Sequence, residues 1–239
     1  MRLDEAVLGL GVCRSRSNAR RLIIEGRVKV GGITVTKPGT EYRGGVIDVR
    51  ADRYVSRAGE KLEAALERFK IDPAGKYVVD FGASTGGFTD CLLAHGAEYV
   101  WAVDVGTAQL APKLRDDPRV KVLEKTDGRN VTPVLLGRIA DMAVMDVSFI
   151  SQSLLYPAVA SVLPCGGCLV TLIKPQFEVG RGAVGKGGIV RDVHAVRECI
   201  ARLTETAYRS GFAIEDTAES PVKGGDGNTE YLAWFRKEH

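Results

Sequence analysis

The chain has 239 residues, of which 45% are hydrophobic and 26% charged, and its net charge at neutral pH is +3. This composition predicts an ordinary soluble protein with a sizeable core, built as one large or two small domains. It excludes a membrane-spanning helix, since no apolar run approaches about 20 residues, and the first residues do not resemble a signal peptide, while an odd number of cysteines favours a reducing cytoplasm.

The first 50 residues are basic, with ten Lys and Arg against five Asp and Glu, which leaves a net charge of −2 for the rest. We expect a short helix over 2–10 and a second helix over 18–25, capped by Ser15 or Ser17. Short strands follow, with a hairpin turn at 31–32. A basic unit before a near-neutral one suggests docking on a polyanion, although a solvated helix surface explains the same arginines.

This basic region resembles a known RNA-binding module. Arg2–Asp4 and the later stretch Ser15–Val30 are similar in order and spacing to the small αL-motif module of a small-subunit ribosomal protein, pseudouridine synthases and tyrosyl-tRNA synthetases. The resemblance implies a domain over 1–50 that reads structured RNA mainly by its shape and phosphates. The cations assigned to RNA in this way are Arg2, Arg14, Arg16, Arg20, Arg21, Arg27 and Lys29.

A short linker is expected over 51–55, too short to let two domains tumble freely. A second domain over 56–239 then opens with a helix over 57–69, capped by Ser56, whose apolar residues recur at helical spacing. Lys61 lies at the margin of that apolar stripe, and its position favours a surface lysine.

A glycine-rich turn organises the second domain. A buried strand over 78–81 is followed by glycines at 82, 86 and 87 and by an amphipathic run that ends at Gly96. Such a turn lets a ligand approach the backbone and its amide donors. No lysine follows the last glycine, which excludes a P-loop. The dinucleotide fingerprint needs glycine at its third position, where this sequence has Ser84, so a dinucleotide site is only weakly supported.

S-adenosylmethionine is the ligand that this turn favours, because its sulfonium and amino group tolerate an acid such as Asp80. The alternative is an ordinary strand–helix turn with a surface aspartate. Against that alternative, the strand over 99–103 ends in Asp104, 22 residues after Gly82. Doubly wound folds hold ribose hydroxyls with an acidic residue at about this spacing.

The remaining chain alternates between helices and strands. We expect helices over 109–115, 149–163 and 191–211, and strands over 120–123, 141–146, 168–174, 212–216 and 230–235. This alternation predicts an α/β fold with a Rossmann-like sheet covered by helices on both faces, preceded by the small α+β domain. The sheet should be parallel with one antiparallel strand, because no helix separates the last two strands.

Charged residues gather at one edge of this predicted sheet. Ligands of such sheets bind outside the carboxyl ends of the strands. Five charged residues lie at or just past carboxyl ends, and a sixth opens the final antiparallel strand at the same edge. They are Asp80, Asp104, Asp127, Asp146, Lys174 and Glu230. Acids and a lysine around one crevice are typical of a site with shifted pKa values.

The sequence around these residues resembles the TlyA (hemolysin A-like) family, over the whole chain. The carrying segments are Ser56–Leu62, Met145–Ser151, Ile173–Glu178 and Asn228–Tyr231, together with residues 80–88, which resemble motif I of FtsJ-type RNA 2′-O-methyltransferases. The resemblance implies S-adenosylmethionine as cofactor and ribosomal RNA as substrate, modified at a ribose 2′-oxygen of a cytidine. It assigns the Lys-Asp-Lys-Glu tetrad to Lys61, Asp146, Lys174 and Glu230.

The same resemblance assigns cofactor contacts along the strand ends. They are Asp80, Gly82, Ala83, Ser84, Gly86, Gly87, Phe88, Asp104, Asp127, Gly128 and Asp146. Asp127 departs from the asparagine of the family at the adenine contact, but a carboxylate still accepts a hydrogen bond from an exocyclic amine. The glycine-rich stretch 178–188 is expected to be mobile without substrate, which is compatible with a lid that orders over RNA and S-adenosylmethionine and in which Arg181 and Lys186 meet RNA.

A ribose hydroxyl is a poor nucleophile, so the site needs a base or a steering group for the 2′-oxygen. Lysine serves as a base if desolvation or a nearby cation lowers its pKa. The hypothesis is that Lys174 takes the proton or steers the oxygen while Asp146 holds Lys174. Lys61 and Glu230 would orient Lys174 and the ribose.

Other readings stay open or are set aside. Cys165 and Cys168 form a lone CxxC pair, which lacks the second pair of ligands that a zinc site needs, so no metal is expected. A non-catalytic RNA-binding or ribosome-associated factor is the first rival, and a membrane-lytic protein the second. A nicotinamide oxidoreductase is more distant. The sequence leaves open the nucleotide, the ribosomal subunit and the oligomeric state.

Overall fold

The structure is a computed structural model that describes residues 1–13 and 15–239, and within these the side chain of Arg181 is not described. Two of the cations assigned to RNA, Arg14 and the Arg181 side chain, therefore lie outside the described part. The chain divides into two compact units, Met1–Arg53 and Tyr54–His239.

The first unit packs two helices with a small antiparallel sheet. Its elements are α1 Leu3–Gly9, α2 Arg16–Ile24, β1 Val28–Val30, β2 Ile33–Thr34 and β3 Ile47–Val49, with strand order β2-β1-β3. Ser15 caps α2 by accepting a hydrogen bond from Asn18 N at 3.1 Å. The buried side chains of α2 are Ala19, Leu22 and Ile23, so the apolar spacing in the sequence marks its inner face.

The second unit is built on a sheet of seven strands within the described residues, in the order β6-β5-β4-β7-β8-β10-β9. The strands are β4 Tyr77–Phe81, β5 Tyr99–Val103, β6 Val120–Leu123, β7 Met142–Met145, β8 Cys168–Ile173, β9 Phe212–Glu219 and β10 Tyr231–Lys237. Strands β4 to β8 pair in parallel, and β10 is antiparallel to both β8 and β9. The predicted fold class is therefore confirmed.

Helices cover both faces of this sheet. They are α3 Ala58–Phe69, α4 Gly87–Ala94, α5 Pro112–Arg115, α6 Pro133–Leu136, α7 Tyr156–Val162, α8 Pro175–Glu178 and α9 Val193–Arg209. Side chains of α3 and α4 pack on one face with Val78, and those of α7 and α9 pack on the other with Val79. Because both faces are buried, the central strands read as continuous apolar runs rather than alternating ones.

Several predicted boundaries are wrong for local reasons. The helix expected over 149–163 is a 3-10 turn, Gln152–Leu154, followed by α7, because Pro157 sits in the first turn of α7, where proline is tolerated. Ser56 does not cap α3; Arg57 holds the N-cap position, and its side chain does not cap the helix. The short helices α6 and α8 escaped prediction, since four residues show no periodicity.

Candidate active site

The glycine turn after β4 brings two loops together. Gly82 has φ of 84°, and a Cβ at this position would lie 2.7 Å from the carbonyl oxygen of Asp146. Gly86, with φ of 93°, starts α4 from the left-handed region that glycine adopts at no steric cost. The turn after β4 can therefore lie directly against the strand end that carries Asp146.

Asp104 fastens this turn from the end of β5. Its Oδ2 accepts a hydrogen bond from Ser84 N at 2.8 Å, and its Oδ1 accepts one from Gly106 N at 2.7 Å. Ser84 itself has φ of 47°, an uncommon conformation for a residue with a side chain. The Asp104 carboxylate stabilises it, and each oxygen keeps a second lone pair for a ligand.

Two adjoining cavities open at this edge of the sheet. The larger, ≈330 Å³, is lined by apolar Phe81, Val105, Ile150 and Leu155 and by polar Asp104 and Asp127, among others. The smaller, ≈150 Å³, is lined by Ser56, Ala58, Thr85, Phe88 and Lys174, among others. Both share Gly82, Ser84, Asp146 and Ser148 in their walls. The arrangement suits an elongated ligand with an apolar, planar end and a polar end.

Asp127 lies in the larger cavity and caps the turn Gly128–Asn130. Its oxygens accept hydrogen bonds from the side chain of Arg129 at 2.5 to 3.0 Å and from Arg129 N at 2.9 Å. The guanidinium hydrogen bonds lower the pKa of Asp127 to about 2. At neutral pH this residue is an ionised acceptor, whose partner Arg129 competes with any ligand.

Asp80 lies beneath the glycine turn and is fully buried within β4. Its Oδ2 accepts a hydrogen bond from Thr89 Oγ1 at 2.6 Å, whereas Oδ1 has no hydrogen-bond partner among the described residues. Burial and, to a smaller extent, the nearby charges of Asp146 and Asp104 raise the pKa of Asp80 to about 7, although the hydrogen bonds from Thr89 lower it. Asp80 lines neither cavity, so its effect on a bound ligand would be indirect, through the glycine turn above it.

Two ion pairs stand at the open edge of β7, β8 and β10. Lys61 Nζ lies 2.5 Å from Glu230 Oε2, and Lys174 Nζ lies 2.6 Å from Asp146 Oδ1. Lys174 Nζ also donates a hydrogen bond to Ser148 Oγ at 2.8 Å. Asp146 Oδ1 has no aligned hydrogen-bond donor among the described residues, so its contact with Lys174 is one of charge.

The sheet register explains why these pairs are neighbours. Tyr231, next to Glu230, pairs with Ile173, next to Lys174, and Met145, next to Asp146, pairs with Thr171 on the same strand β8. The structure therefore brings all four tetrad positions to one place.

Burial sets the electrostatics of the tetrad. The position of Lys61 at the margin of the apolar stripe predicts a surface lysine. This prediction is wrong, because Lys61 is only 7% exposed. Burial raises the pKa of Glu230, while the positive charges of Lys61 and, more weakly, Lys174 lower it and that of Asp146 raises it. The charges of the other three members therefore all act on the pKa of Glu230, so the four residues are electrostatically coupled.

An aromatic pair at the mouth of the larger cavity was missed by sequence reasoning. Phe149 is 90% exposed and has φ of 65°, and its ring centroid lies 4.9 Å from that of Phe177. A bulky residue in the left-handed region is strained, and such strain clusters at functional sites. The sequence analysis assigns Phe149 to the start of a helix, where an apolar side chain needs no further explanation.

Four of the arginines assigned to RNA form two clusters around buried or half-buried acids in the first unit. Arg2 and Arg16 both pair with the buried Asp4, each at 3.1 Å. Hydrogen bonds from Arg2 and, more weakly, Arg16 lower the pKa of Asp4 to about 2, against the opposing effect of burial. These arginines therefore hold the unit together as well as carrying charge.

A second cluster joins the end of this unit to α2. Arg21 and Arg27 both pair with Asp52, Arg27 at 2.8 Å. In contrast, Arg20 and Lys29 are exposed and make no ion pair within the described residues. Lys186, in the second unit, is likewise exposed.

The chain is similar to known methyltransferases over nearly its whole length. Residues 54–237 match the FtsJ-like methyltransferase family, and residues 1–48 match the S4 domain. The chain is 41% identical over 241 residues to the 16S/23S rRNA (cytidine-2′-O)-methyltransferase TlyA of Mycobacterium tuberculosis, which covers 99% of this chain and 90% of that protein.

Solved structures agree with this match. A hemolysin candidate from Streptococcus thermophilus is 40% identical with a TM-score of 0.79, covering 100% of this chain and 88% of that one. An S-adenosylmethionine dependent methyltransferase from Mesorhizobium loti shares the fold at 18% identity and a TM-score of 0.54, covering 76% of this chain and 100% of that one. The chain belongs to the FtsJ-like methyltransferase family, in the TlyA group that carries an amino-terminal S4 domain.

Proposed function

We propose that this protein transfers a methyl group from S-adenosylmethionine to the ribose 2′-oxygen of a cytidine in ribosomal RNA. The observation that carries the proposal is the pair of Lys174 and Asp146 in the wall of the smaller cavity, with the pair of Lys61 and Glu230 beside it. Family membership and the match to an rRNA methyltransferase support it.

The cavities fit S-adenosylmethionine by size and by chemistry. A space of ≈330 Å³ lies in the range of small-ligand sites, and its apolar wall suits a purine. Asp104 would accept from ribose hydroxyls, and Asp127 with the backbone of Gly128 would meet the adenine. The turn from Gly82 to Phe88 and the smaller cavity would hold the methionine end, where Asp146 adds negative charge opposite a sulfonium.

Lys174 is the residue we assign to the 2′-oxygen. S-adenosylmethionine, when bound, supplies an electrophilic methyl group on a positively charged sulfur. Lys174 lines the cavity that would hold that end, and Asp146 and Ser148 fix its amine from two sides. Lys174 then orients the 2′-oxygen and takes its proton as the new O–C bond forms and the bond from the methyl carbon to sulfur breaks, which leaves S-adenosylhomocysteine. This role requires the amine to be neutral in the reacting state.

Lys61 and Glu230 support that amine from behind. Neither residue lines the two cavities, and both are buried. Because Lys61 and Glu230 pair with each other, they place a positive and a negative charge next to Lys174 and Asp146. The pair adds no net charge to this poorly solvated region. We therefore assign them to the orientation of Lys174 and of the ribose.

RNA would meet exposed cations and an exposed ring. Arg20 and Lys29 offer charge for phosphates on the first unit, while Phe149 offers a face on which a base can stack. Arg2, Arg16, Arg21 and Arg27 would reach phosphates from within their ion pairs. Ribosomal RNA as substrate would place the protein in the cytoplasm.

The test is methyl transfer from tritiated S-adenosylmethionine to purified ribosomal subunits, with ribose methylation mapped by mass spectrometry. We expect Lys174→Ala to lower the rate at least 100-fold while S-adenosylhomocysteine still binds. Lys121→Ala, an exposed residue of the edge strand β6, is the matched control and should keep the wild-type rate.

Two results would favour other functions. RNA binding without any methyl transfer would favour a non-catalytic ribosome-associated factor. Lysis of liposomes would favour the membrane-lytic reading, although no helix within the described residues is long and apolar enough to span a bilayer.

A further inference from the structure

The two loops that carry Asp146 and Lys174 are joined at a second place, away from the reacting groups. The loop after β7 runs from Asp146 to Ser151, and α8 follows Lys174 directly after β8. At their base, Lys174 contacts both Asp146 and Ser148. One turn of helix further along, Glu178 ends α8.

Glu178 uses both carboxylate oxygens to hold the other loop. Its Oε2 accepts a hydrogen bond from Ser151 Oγ at 2.7 Å, and its Oε1 accepts one from Gln152 N at 2.9 Å. Gln152 is itself held by β8, because its Oε1 accepts a hydrogen bond at 2.5 Å from Oγ1 of Thr171 on that strand. The Glu178 carboxylate, which belongs to α8, thus binds a backbone amide at the start of a different element, the turn Gln152–Leu154.

The contact spans the aromatic pair. Phe149 lies between Ser148 and Ser151 in the first loop, and Phe177 directly precedes Glu178 in the second. The contacts of Lys174 with the first loop therefore lie on one side of the aromatic pair along the chain, and those of Glu178 lie on the other. Burial raises the pKa of Glu178, opposed by its hydrogen bonds and by the charge of Arg202. Partial burial of a carboxylate is costly unless hydrogen bonds compensate it, and the hydrogen bonds from Ser151 and Gln152 supply that compensation.

We propose that Glu178 is a positioning residue, whose carboxylate holds the loop from Asp146 to Ser151 against α8. In this way it sets the distance between Asp146 and Lys174 and keeps Phe149 at the mouth of the cavity. The inference rests on the proposed function for its effect on the rate, but its structural part stands without it.

The test compares Glu178→Ala and Glu178→Gln with Val159→Ala as control. The glutamine keeps an acceptor for Gln152 N and donates to Ser151 Oγ, so it should retain the contact. Val159 is a buried residue of α7 that lines neither cavity, and its truncation lowers stability in the same unit. The readouts are kcat on ribosomal subunits, the Kd for S-adenosylhomocysteine, and amide hydrogen exchange of residues 148–152 without ligand.

We expect Glu178→Ala to lower kcat at least tenfold and to raise exchange at Gln152 at least tenfold, with Kd changed less than threefold. Glu178→Gln should stay within threefold of wild type in all three readouts, and Val159→Ala should keep kcat. Equal kcat in Glu178→Ala and wild type, or no recovery with glutamine, overturns the inference.

The failure of the proposed function would look different. If the wild-type protein methylates no ribosomal RNA, that function is wrong, and the exchange data then decide the present inference. Faster exchange at 148–152 in Glu178→Ala than in Glu178→Gln supports it, and unchanged exchange overturns it.

Discussion

Removing the amine of Lys61 should reveal how strongly the tetrad depends on its buried charges. The side chain of Lys61 is 9% exposed and that of Glu230 is 3% exposed. In Lys61→Met the carboxylate keeps its burial and loses the nearest positive charge. Breaking a buried pair in this way costs about 3–5 kcal/mol of folding free energy, because the remaining charge is left uncompensated.

The cost should depend on pH in a direction that the structure fixes. The folded pKa of Glu230 is already raised, so the folded state prefers the protonated acid. The stability from this preference is fully present below the unfolded pKa and is lost as the pH rises through the folded pKa. Without Lys61 that folded pKa rises further. Lys61→Met should therefore be close to wild-type stability in acid and most destabilised above neutral pH.

Urea denaturation from pH 5 to 8.5 measures this, with Lys61→Met/Glu230→Gln as the compensating variant. The double variant should recover stability to within about 1 kcal/mol, since no buried charge is then unpaired. The control is Lys113→Met, whose amine pairs with Asp90 at 2.8 Å but is 54% exposed. It should cost at most about 1 kcal/mol. A loss in Lys61→Met below 1 kcal/mol, or one that does not change with pH, would refute the reasoning.

Three further predictions concern the turn, the aromatic pair and the RNA contacts. Asp80→Asn should be more stable than wild type at pH 8, an advantage that shrinks as the pH falls to 4, because the pKa of Asp80 is raised to about 7; urea denaturation would show no difference if the carboxylate were solvated. Phe149→Ala should lower kcat/KM for RNA about tenfold and Phe149→Trp should not, as about 1–3 kcal/mol of base stacking implies; equal values would contradict stacking. Arg20→Ala/Lys29→Ala should reduce the salt dependence of RNA binding by about two phosphate contacts, and an unchanged slope in a titration would rule those contacts out.

Local sequence patterns sufficed for the fold class. Apolar runs of four to six residues, separated by helical repeats and glycine turns, identified the parallel strands and the antiparallel end of the sheet. Such patterns depend on residues close in sequence, and the strand ends follow from them. The patterns failed at Phe149, where a strained residue and a later proline delay the helix, since strain leaves no periodic signal.

The sequence by itself determined which charged residues lie at the carboxyl edge, because strand direction follows from alternation of helices and strands. Only the tertiary structure decided their pairing and burial. Lys61 and Glu230 are 169 residues apart. The family resemblance assigns both to the tetrad, but no local pattern around Lys61 shows that it is buried against a carboxylate. The same holds for the arginines that pair with Asp4 and Asp52. Pairing and desolvation depend on distances that close when the sheet is assembled, and these distances are absent from any local pattern.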